Sequence, residues 1–167
     1  MKKIIIGLFI LVVSLSIFKG NSQKIVIPKD AIRFRIIANS NSIEDQKEKI
    51  SIRKDLEPVL NTILTNANSL NETKSLIDQN MPSIKDIINE HNVNYNINFG
   101  QNYFPQKEYK GLSYAAGYYE SLVVTLGDGL GDNWWCVLFP PLCLLEAEED
   151  KYDEYTYTTY IQELLKM

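Results

Sequence analysis

Residues 127–143 have the sequence GDGLGDNWWCVLFPPLC and contain both tryptophans and both cysteines of the chain. Glycine at every second position from 127 to 131 indicates a tight turn, because glycine adopts positive φ angles without steric cost. The apolar run from Trp134 to Phe139 indicates a strand after the turn. Residues 118–126, before it, are rich in valine, tyrosine and threonine, which favours another strand. The pattern predicts a β-hairpin.

The chain before this hairpin predicts a strand followed by helices. Residues 31–37 alternate apolar and charged side chains, which is typical of a half-buried strand. Ser42, with Asp45 three residues later, resembles a capping box and predicts the start of a helix. Apolar residues then recur every three or four positions, so we expect one face of this helix to pack against a sheet. They are Ile52, Leu56, Val59, Leu60, Ile63 and Leu64.

Two prolines lie within the helical pattern. Pro58 predicts a kink or a division of the first helix, because proline cannot donate the backbone hydrogen bond and crowds the preceding turn. We expect a second helix over residues 72–79, an interruption at residues 81–83 and a restart at Pro82. Alternation from residue 93 to 99 predicts another strand. The order predicts an α+β fold, with a small sheet of about four strands and helices on one face.

The N-terminus has the pattern of an export signal. Lys2 and Lys3 precede an apolar run over residues 4–18, which matches the charged and hydrophobic regions of a signal peptide. The run is shorter than the roughly 20 apolar residues of a bilayer span. Because no clean cleavage site follows it, an uncleaved anchor that contacts the membrane through these residues is an alternative. We divide the chain into a signal peptide or N-terminal anchor (1–20), a linker (21–30) and a single domain (31–167).

The overall charge excludes one class of partner. Lysine and arginine number 17, aspartate and glutamate 21, and the net charge is −4. A nucleic-acid-binding protein needs a basic surface to neutralise phosphates, so we expect no nucleic acid. Residues 146–150 are acidic, and apolar residues follow over 161–165. This end of the chain is either a solvated acidic connection or one that docks as a short amphipathic helix.

The two cysteines have two interpretations. Cys136 and Cys143 enclose six residues, including Pro140 and Pro141, whose fixed φ angles can turn the chain back. In an exported protein a disulfide between them persists, and it would stabilise the fold by about 2 kcal/mol. The alternative is two buried thiols that pack as small apolar groups. A redox function is disfavoured, since the spacing is not that of C-x-x-C.

Catalytic signatures are weak in this sequence. His91 is the only histidine, and its place at a helix end suggests an interaction with the helix dipole. The glycine run leads into a strand and not into a helix, unlike a phosphate-binding loop. We therefore predict no catalytic residue, no metal and no cofactor. Four acidic residues are candidates for a carboxylate pair in glycoside hydrolysis, although solvated charge is their usual explanation. They are Glu120, Asp128, Asp132 and Glu146.

The adjacent tryptophans predict a contact surface. Neighbouring residues on a strand point to opposite faces, so we expect either Trp134 or Trp135 in the core and the other facing outward. An outward tryptophan beside a rigid turn is typical of a binding hot spot. The alternative is that the C-terminal segment covers both rings.

Three segments of the chain resemble the stage II sporulation protein R family. They are residues 32–42 (IRFRIIANSNS) with the following Glu44, Asp45 and Gln46, residues 116–122 (AGYYESL) and residues 127–143. The similarity extends from about residue 31 to 143. Ala115 stands where the family usually has proline, and Val123 stands where it tends to have arginine. A charge-based role of that arginine is therefore not expected here.

The resemblance implies an exported signalling protein of endospore-forming bacteria, without enzymatic activity of its own. Such proteins pass from the forespore into the space between the two sporulation membranes. There they trigger a membrane-embedded aspartic protease of the mother cell to process the precursor of sigma-E. The alternative is an exported cell-wall hydrolase with a carboxylate pair. We predict partner contacts through Asn39, Ser40, Asn133, Trp134, Trp135 and Phe139.

Overall fold

The computed structural model describes residues 25–26, 30–109 and 112–142. The predicted signal peptide or anchor, Cys143 and the C-terminal acidic segment lie outside these residues. The elements in chain order are β1 (Ile25–Val26), β2 (Ile32–Ile37), α1 (Ile43–Asn66), α2 (Leu70–Glu90), β3 (Tyr95–Phe104), β4 (Lys107–Tyr109), β5 (Leu112–Tyr114), β6 (Gly117–Leu126) and β7 (Asn133–Phe139). Strand β1 lies in the segment that we expected to be a linker.

Four strands form a mixed sheet in the order β3-β6-β2-β7. Strand β2 is parallel to β6 and antiparallel to β7, and β3 is antiparallel to β6. A smaller sheet has the order β1-β5-β4. The predicted α+β fold with about four strands is confirmed. The second sheet was not predicted, because its strands are only two or three residues long.

The predicted β-hairpin is wrong, because β6 and β7 do not pair with each other. Strand β2 lies between them, and its last residue, Ile37, is in register with Thr125 of β6 and with Asn133 of β7. The glycine-rich segment therefore crosses the end of β2. The long hairpin of the fold is β3–β6, in which Tyr95 pairs with Leu126 and Phe104 with Gly117.

Both helices continue through their prolines, so a division at Pro58, one of the two predicted alternatives, is wrong, and so is the interruption at residues 81–83. Both prolines lie on the exposed side of their helix, where solvent can hydrate the carbonyl group that loses its hydrogen bond. The opposite side of each helix is buried against the sheet, and this burial offsets the cost of proline.

The main core lies between the helices and one face of the four-stranded sheet. The helices contribute Ile52, Leu56, Leu60, Ile63, Leu64, Ile77, Ile84 and Ile88. The sheet contributes Ile32, Phe34, Ile36, Leu122, Val124, Leu126, Cys136 and Leu138. These sheet residues alternate along each strand, as side chains on one face must.

The other face of the sheet is covered too. Arg33 of β2 is only 1% exposed, and Tyr114 of the small sheet and Tyr119 of β6 are also buried. The expectation that β2 is half-buried, with its charged side chains toward solvent, is therefore wrong at Arg33. Within the ranges that the structure describes, neither helix is apolar enough to span a membrane.

Candidate functional site

Two loops pack together at one end of the four-stranded sheet. They are residues 38–42, which follow β2, and residues 127–132, which join β6 to β7 and which we call the crossing loop. Together the two loops form the loop platform. The backbone oxygen of Asn39 accepts a hydrogen bond from the backbone N–H of Leu130 (2.9 Å). The side-chain Oδ1 of Asn39 accepts another from the N–H of Asp128 (2.9 Å). One asparagine therefore holds two points of the crossing loop.

Helix α1 also holds the crossing loop, through hydrogen bonds of Lys49. The Nζ of Lys49 donates to the backbone oxygen of Asp132 (2.9 Å) and to Oε1 of Gln46 (2.6 Å). Lys49 is only 5% exposed. Burial lowers the pKa of Lys49, and the negative charge of Asp132 opposes this shift. The Oδ1 of Asn41 accepts from the N–H of the same aspartate (2.6 Å), so the loop is held from both sides.

Asp45 organises the first loop of the platform. Its Oδ2 accepts hydrogen bonds from Oγ of Ser40 (2.5 Å) and from Nδ2 of Asn39 (3.0 Å). These bonds, first that of Ser40 and then that of Asn39, hold the pKa of the Asp45 carboxyl below its usual range. The N–H of Asp45 donates to Oγ of Ser42 (3.1 Å), which confirms the predicted helix cap.

The predicted contact residues Asn39 and Ser40 thus have internal partners for their side chains. Asn39 bonds to the crossing loop and to Asp45, while Ser40 bonds to Asp45 and accepts from the N–H of Ser42 (3.1 Å). Both residues are half-buried. Their observed contacts hold the platform in shape, so their direct role toward a partner stays a prediction.

Glycine is required in the crossing loop for close approach as well as for backbone angle. Gly127 has φ +51°, and a Cβ at this position would clash with the side chain of Asn39. A Cβ at Gly131 would clash with the backbone carbonyl of Ser40, which has no rotamer through which to move away. The two loops can pack this closely only because these side chains are absent.

Two large apolar side chains are exposed in the platform or directly next to it in the sequence. Leu130, in the crossing loop, is 79% exposed, and Ile43, the first residue of α1, is 68% exposed. Asn133, a predicted contact residue, is also exposed where β7 begins. The sequence interpretation missed Leu130 and Ile43. An apolar residue between two turn glycines was the signal that could have identified Leu130.

Trp134 lies on the helix side of the sheet. It is in register with Ile36 and contacts the Phe34 ring edge-on, with 5.6 Å between the ring centroids. The guanidinium carbon of Arg53, on α1, lies 5.1 Å from the centroid of the Trp134 ring. The ring is half-buried at the edge of the main core.

Trp135 lies on the opposite face, as predicted for adjacent strand residues. It is in register with Arg35, and its ring contacts that of Tyr114 edge-on at 4.5 Å. The Nζ of Lys107 lies 4.7 Å from its centroid. Trp135 is also half-buried. Both rings therefore have partners within the fold, and the outward tryptophan that we expected is only partly exposed.

The far end of β7 lies away from the platform. Phe139 is half-buried and six residues from Asn133, which is about 20 Å along an extended strand. The structure therefore separates this predicted contact residue from the other five. Cys136 is 1% exposed and takes part in a disulfide. Because Cys143 lies outside the described residues, the Cys136–Cys143 pairing stays a prediction.

Two arginines of β2 lie on the second face of the sheet, among aromatic rings. The guanidinium carbon of Arg33 lies 3.4 Å from the ring centroid of Tyr119, 5.0 Å from that of Phe104 and 5.4 Å from that of Tyr114. The guanidinium carbon of Arg35 is 4.7 Å from the centroid of Phe104. Such stacking is favourable, since the ring faces carry negative charge density.

A small cavity opens beside these arginines. Its volume is about 40 Å³, and we call it the arginine pocket. It is lined by Arg33, Arg35, Phe104, Pro105, Lys107, Asn133 and Trp135. Sequence reasoning missed this site, because arginines that alternate with apolar residues on a strand indicate a solvated face.

His91 and Glu120 form structural ion pairs. His91 ends α2, and its ring nitrogens lie 2.6 Å from Oε1 of Glu48 and 3.0 Å from Oδ2 of Asp55, both on α1. Glu120 pairs with Lys74 of α2 at 2.8 Å. These contacts join the helices to each other and to the sheet. Among the described residues, no cluster of histidine, cysteine and acidic side chains is suited to a metal ion.

Among the candidate carboxylates, Glu120 does not form a hydrolytic pair with Asp128 or Asp132, and Glu146 lies outside the described residues. Glu120 precedes Leu126, the end of β6, by six residues, or about 20 Å, so it is far from the loop that carries Asp128 and Asp132. Such a pair needs a separation of about 5–10 Å. Asp45 and Glu48 line a cavity of about 230 Å³ beside the platform. The lowered pKa of Asp45 is the opposite of what a general acid needs.

Comparison with known proteins identifies the family. The family model for stage II sporulation protein R matches residues 28–149, which is most of the chain. The chain belongs to the stage II sporulation protein R family. The matched residues contain both loops of the platform, both tryptophans and the arginine pocket.

One relative gives the degree of similarity. The stage II sporulation protein R of Bacillus subtilis (strain 168) is 42% identical over 134 residues. The match covers 77% of this chain and 60% of the relative, so the chain spans about 60% of the length of this relative. No solved structure matches the chain. Membership in the family supports a role in sporulation.

Proposed function

We propose that this protein is an exported, non-catalytic signalling protein of sporulation. In this proposal it enters the space between forespore and mother cell and binds a membrane-embedded aspartic protease of the mother cell, which then processes the precursor of sigma-E. Family membership supports the role in sporulation. The two lysines and the apolar run at residues 2–18 support export, with or without retention as an anchor.

The observation that supports the proposed contact is that Leu130 has an exposed side chain on a fixed backbone. Its side chain is 79% exposed, while its backbone N–H is bonded to the oxygen of Asn39. A fixed backbone lowers the entropy cost of ordering a contact residue when a partner binds. Ile43 and Asn133 lie at the edges of the platform and are exposed as well. We assign the docking surface to these three residues.

A rigid ligand of this kind acts by differential affinity. Binding shifts the protease toward its active arrangement only if that arrangement binds the platform more tightly than the inactive one. A preference of about 1.4 kcal/mol changes the ratio of the two arrangements tenfold. The protein therefore needs no reacting group of its own to switch on processing.

The test is reconstitution of precursor processing with the protease, the precursor and this protein. Leu130→Asp places a charge on the docking surface and should reduce the processing rate at least tenfold, because a desolvated carboxylate opposes contact with an apolar partner. Tyr118→Asp is the matched control. Tyr118 is 71% exposed and lies at the start of β6, about 25 Å along the strand from the platform.

Two results would contradict different parts of the proposal. Normal processing with Leu130→Asp would show that the platform is not the docking surface. Processing that is unchanged when the wild-type protein is omitted would refute the signalling function itself. Circular dichroism of both variants checks that the fold is intact.

A further inference from the structure

The arginine pocket is positively charged, and none of its described lining residues is an aspartate or a glutamate. Arg33 is 99% buried, and its Nε and Nη2 have no hydrogen-bond partner, nor has the buried Nε of Arg35. Lys107 adds a third cation to the lining. Among the residues that the structure describes, no aspartate or glutamate forms a salt bridge with either arginine.

We propose that the arginine pocket binds a carboxylate group that is flanked by apolar atoms. Arginine presents a planar fork of N–H donors that matches the two oxygens of a carboxylate. A ligand in the pocket would meet the two guanidinium groups, with the ammonium group of Lys107 at its rim. Guanidinium N–H groups that face the pocket would form charged hydrogen bonds to the carboxylate, which are stronger than neutral ones.

The electrostatics of the fold favour an anion at this place. Buried donors without partners are rare in folded proteins, since each one costs free energy. Burial lowers the pKa of both Arg33 and Arg35, which reflects the cost of removing their charge from water. Stacking on the rings of Phe104 and Tyr119 offsets part of that cost, and the side chain of Tyr119 also forms a hydrogen bond with Arg33, but neither residue supplies a carboxylate.

The size and walls of the pocket define the ligand class. A volume of about 40 Å³ admits a group of a few atoms, such as a carboxylate, and not a nucleotide or a sugar. Phe104, Pro105 and Trp135 form an apolar wall beside the cations. The ligand is therefore an acid whose carboxylate is attached to an apolar group.

Two sources can supply such a carboxylate. One is a separate molecule, and the other is the acidic segment of the same chain at residues 146–150, which follows the last described residue closely. The chemistry of recognition is the same in both cases. The experiment must therefore distinguish a free site from a site that the chain itself fills.

Trp135 provides a direct readout of the pocket. Trp134 lies on the other face of the sheet, so Trp134→Phe in the full chain leaves the Trp135 ring as the single indole reporter. Acetate and phenylacetate are added in place of chloride at constant ionic strength, and tryptophan fluorescence is recorded. We expect a saturable change, with phenylacetate binding more tightly than acetate because of the apolar wall.

Variants connect the signal to the arginines. Arg35→Gln should weaken binding roughly tenfold to a hundredfold, the expected effect of losing charged hydrogen bonds. Arg53→Gln is the matched control and should leave binding unchanged, because Arg53 lies beside residue 134 on the opposite face of the sheet. Arg35 is only half-buried, so its variant should fold, and urea unfolding verifies this.

The acidic segment is tested by replacing its four carboxylates with amides. If the full chain gives no response and this amide variant responds, the chain's own segment occupies the pocket, and the proposal holds with that source. A response of the unchanged chain assigns the ligand to solution. The proposal is overturned if neither protein responds, if chloride alone gives the same change, or if Arg35→Gln binds as well as its parent.

Discussion

Single residues determine the shape of the loop platform. Asn39 forms hydrogen bonds to the crossing loop through its backbone and its side chain. Asp45 accepts hydrogen bonds from the hydroxyl of Ser40 and from the side-chain amide of Asn39. The close packing of the two loops also depends on the absence of side chains at Gly127 and Gly131. The conformation of the proposed docking surface thus depends on a few polar contacts and on glycine.

Asp45 should make the free energy of unfolding depend on pH in the acidic range. Its pKa is lower in the folded protein than the usual aspartate value of about 4, so its stabilising contribution is present above that value. The contribution is lost as the pH falls through the lower, folded pKa. In urea unfolding measured from neutral to acidic pH, Asp45→Asn should show a smaller loss of stability than the wild type.

The exposed Asp86 of α2 offers a matched control for this measurement. Asp86→Asn should keep the acid dependence of the wild type. Equal acid dependence in Asp45→Asn and the wild type would mean that the hydrogen bonds of the platform do not favour the charged carboxylate.

At the scale of the elements, burial outweighs a strong local signal. Proline inside a helix costs about 3 kcal/mol, yet α1 and α2 each contain one without ending there. Ile77 and Ile84, on either side of Pro82 in the sequence, are fully buried against the sheet. For a helix that packs along its whole length, a break would cost more free energy of packing than the proline costs at one turn.

Pro82→Ala should therefore stabilise the protein. Alanine restores the missing hydrogen bond in the helix, while the unfolded chain gains some flexibility, which opposes the effect. We expect a net gain of about 1–2 kcal/mol, measured as a higher urea midpoint with an unchanged slope. A lower midpoint would show that the helix needs the proline for its local shape. Ser83→Ala, at the exposed neighbouring position, controls for general effects of alanine.

At the scale of the whole molecule, the order of the strands joins distant parts of the chain. Strand β2 pairs with both β6 and β7, so the first strand of the main sheet lies between two of the last. The crossing loop closes this arrangement, with Leu130 and Gly131 donating to the oxygens of Asn39 and Ala38. A surface loop is therefore part of the cooperative structure.

The N–H groups of Leu130 and Gly131 should exchange with solvent slowly. Their hydrogen bonds break only when the loop leaves the end of β2, which we expect to require opening of the sheet. Native-state hydrogen exchange should show protection within about tenfold of that of the β2 amides. The backbone N–H of Asn133, just beyond the loop, serves as a comparison within β7. Exchange as fast as in a free peptide would mean that the platform opens independently of the sheet.

Local patterns predicted much of the fold for a physical reason. The periodicity of apolar residues reports which side of an element is buried, and this is why α1, β6 and β7 were located within a few residues. The cap at Ser42 was predicted because its hydrogen bond joins residues three positions apart. The opposite faces of Trp134 and Trp135 follow from strand geometry alone.

The candidate site was less predictable. Asn39 and Asn133 were selected as contact residues, but the exposed Leu130 and the arginine pocket were missed. Local pattern gives no information about what covers a strand from the far side. Arg33 has the sequence context of a solvated side chain, yet Tyr114 and Phe104, some 70 to 80 residues later, bury it.

The sequence by itself determined the α+β class, the positions of the main helices and strands, the need for glycine in the turn and the family. These properties depend on neighbouring residues or on residue identity. The tertiary structure alone decided that β2 lies between β6 and β7, that the prolines stay inside helices, and that two arginines of β2 lie among aromatic rings, with no salt bridge to an acidic side chain in the described part of the chain. These outcomes depend on contacts between residues that are distant in the sequence, and the free energy of such contacts is set by packing and burial rather than by local pattern.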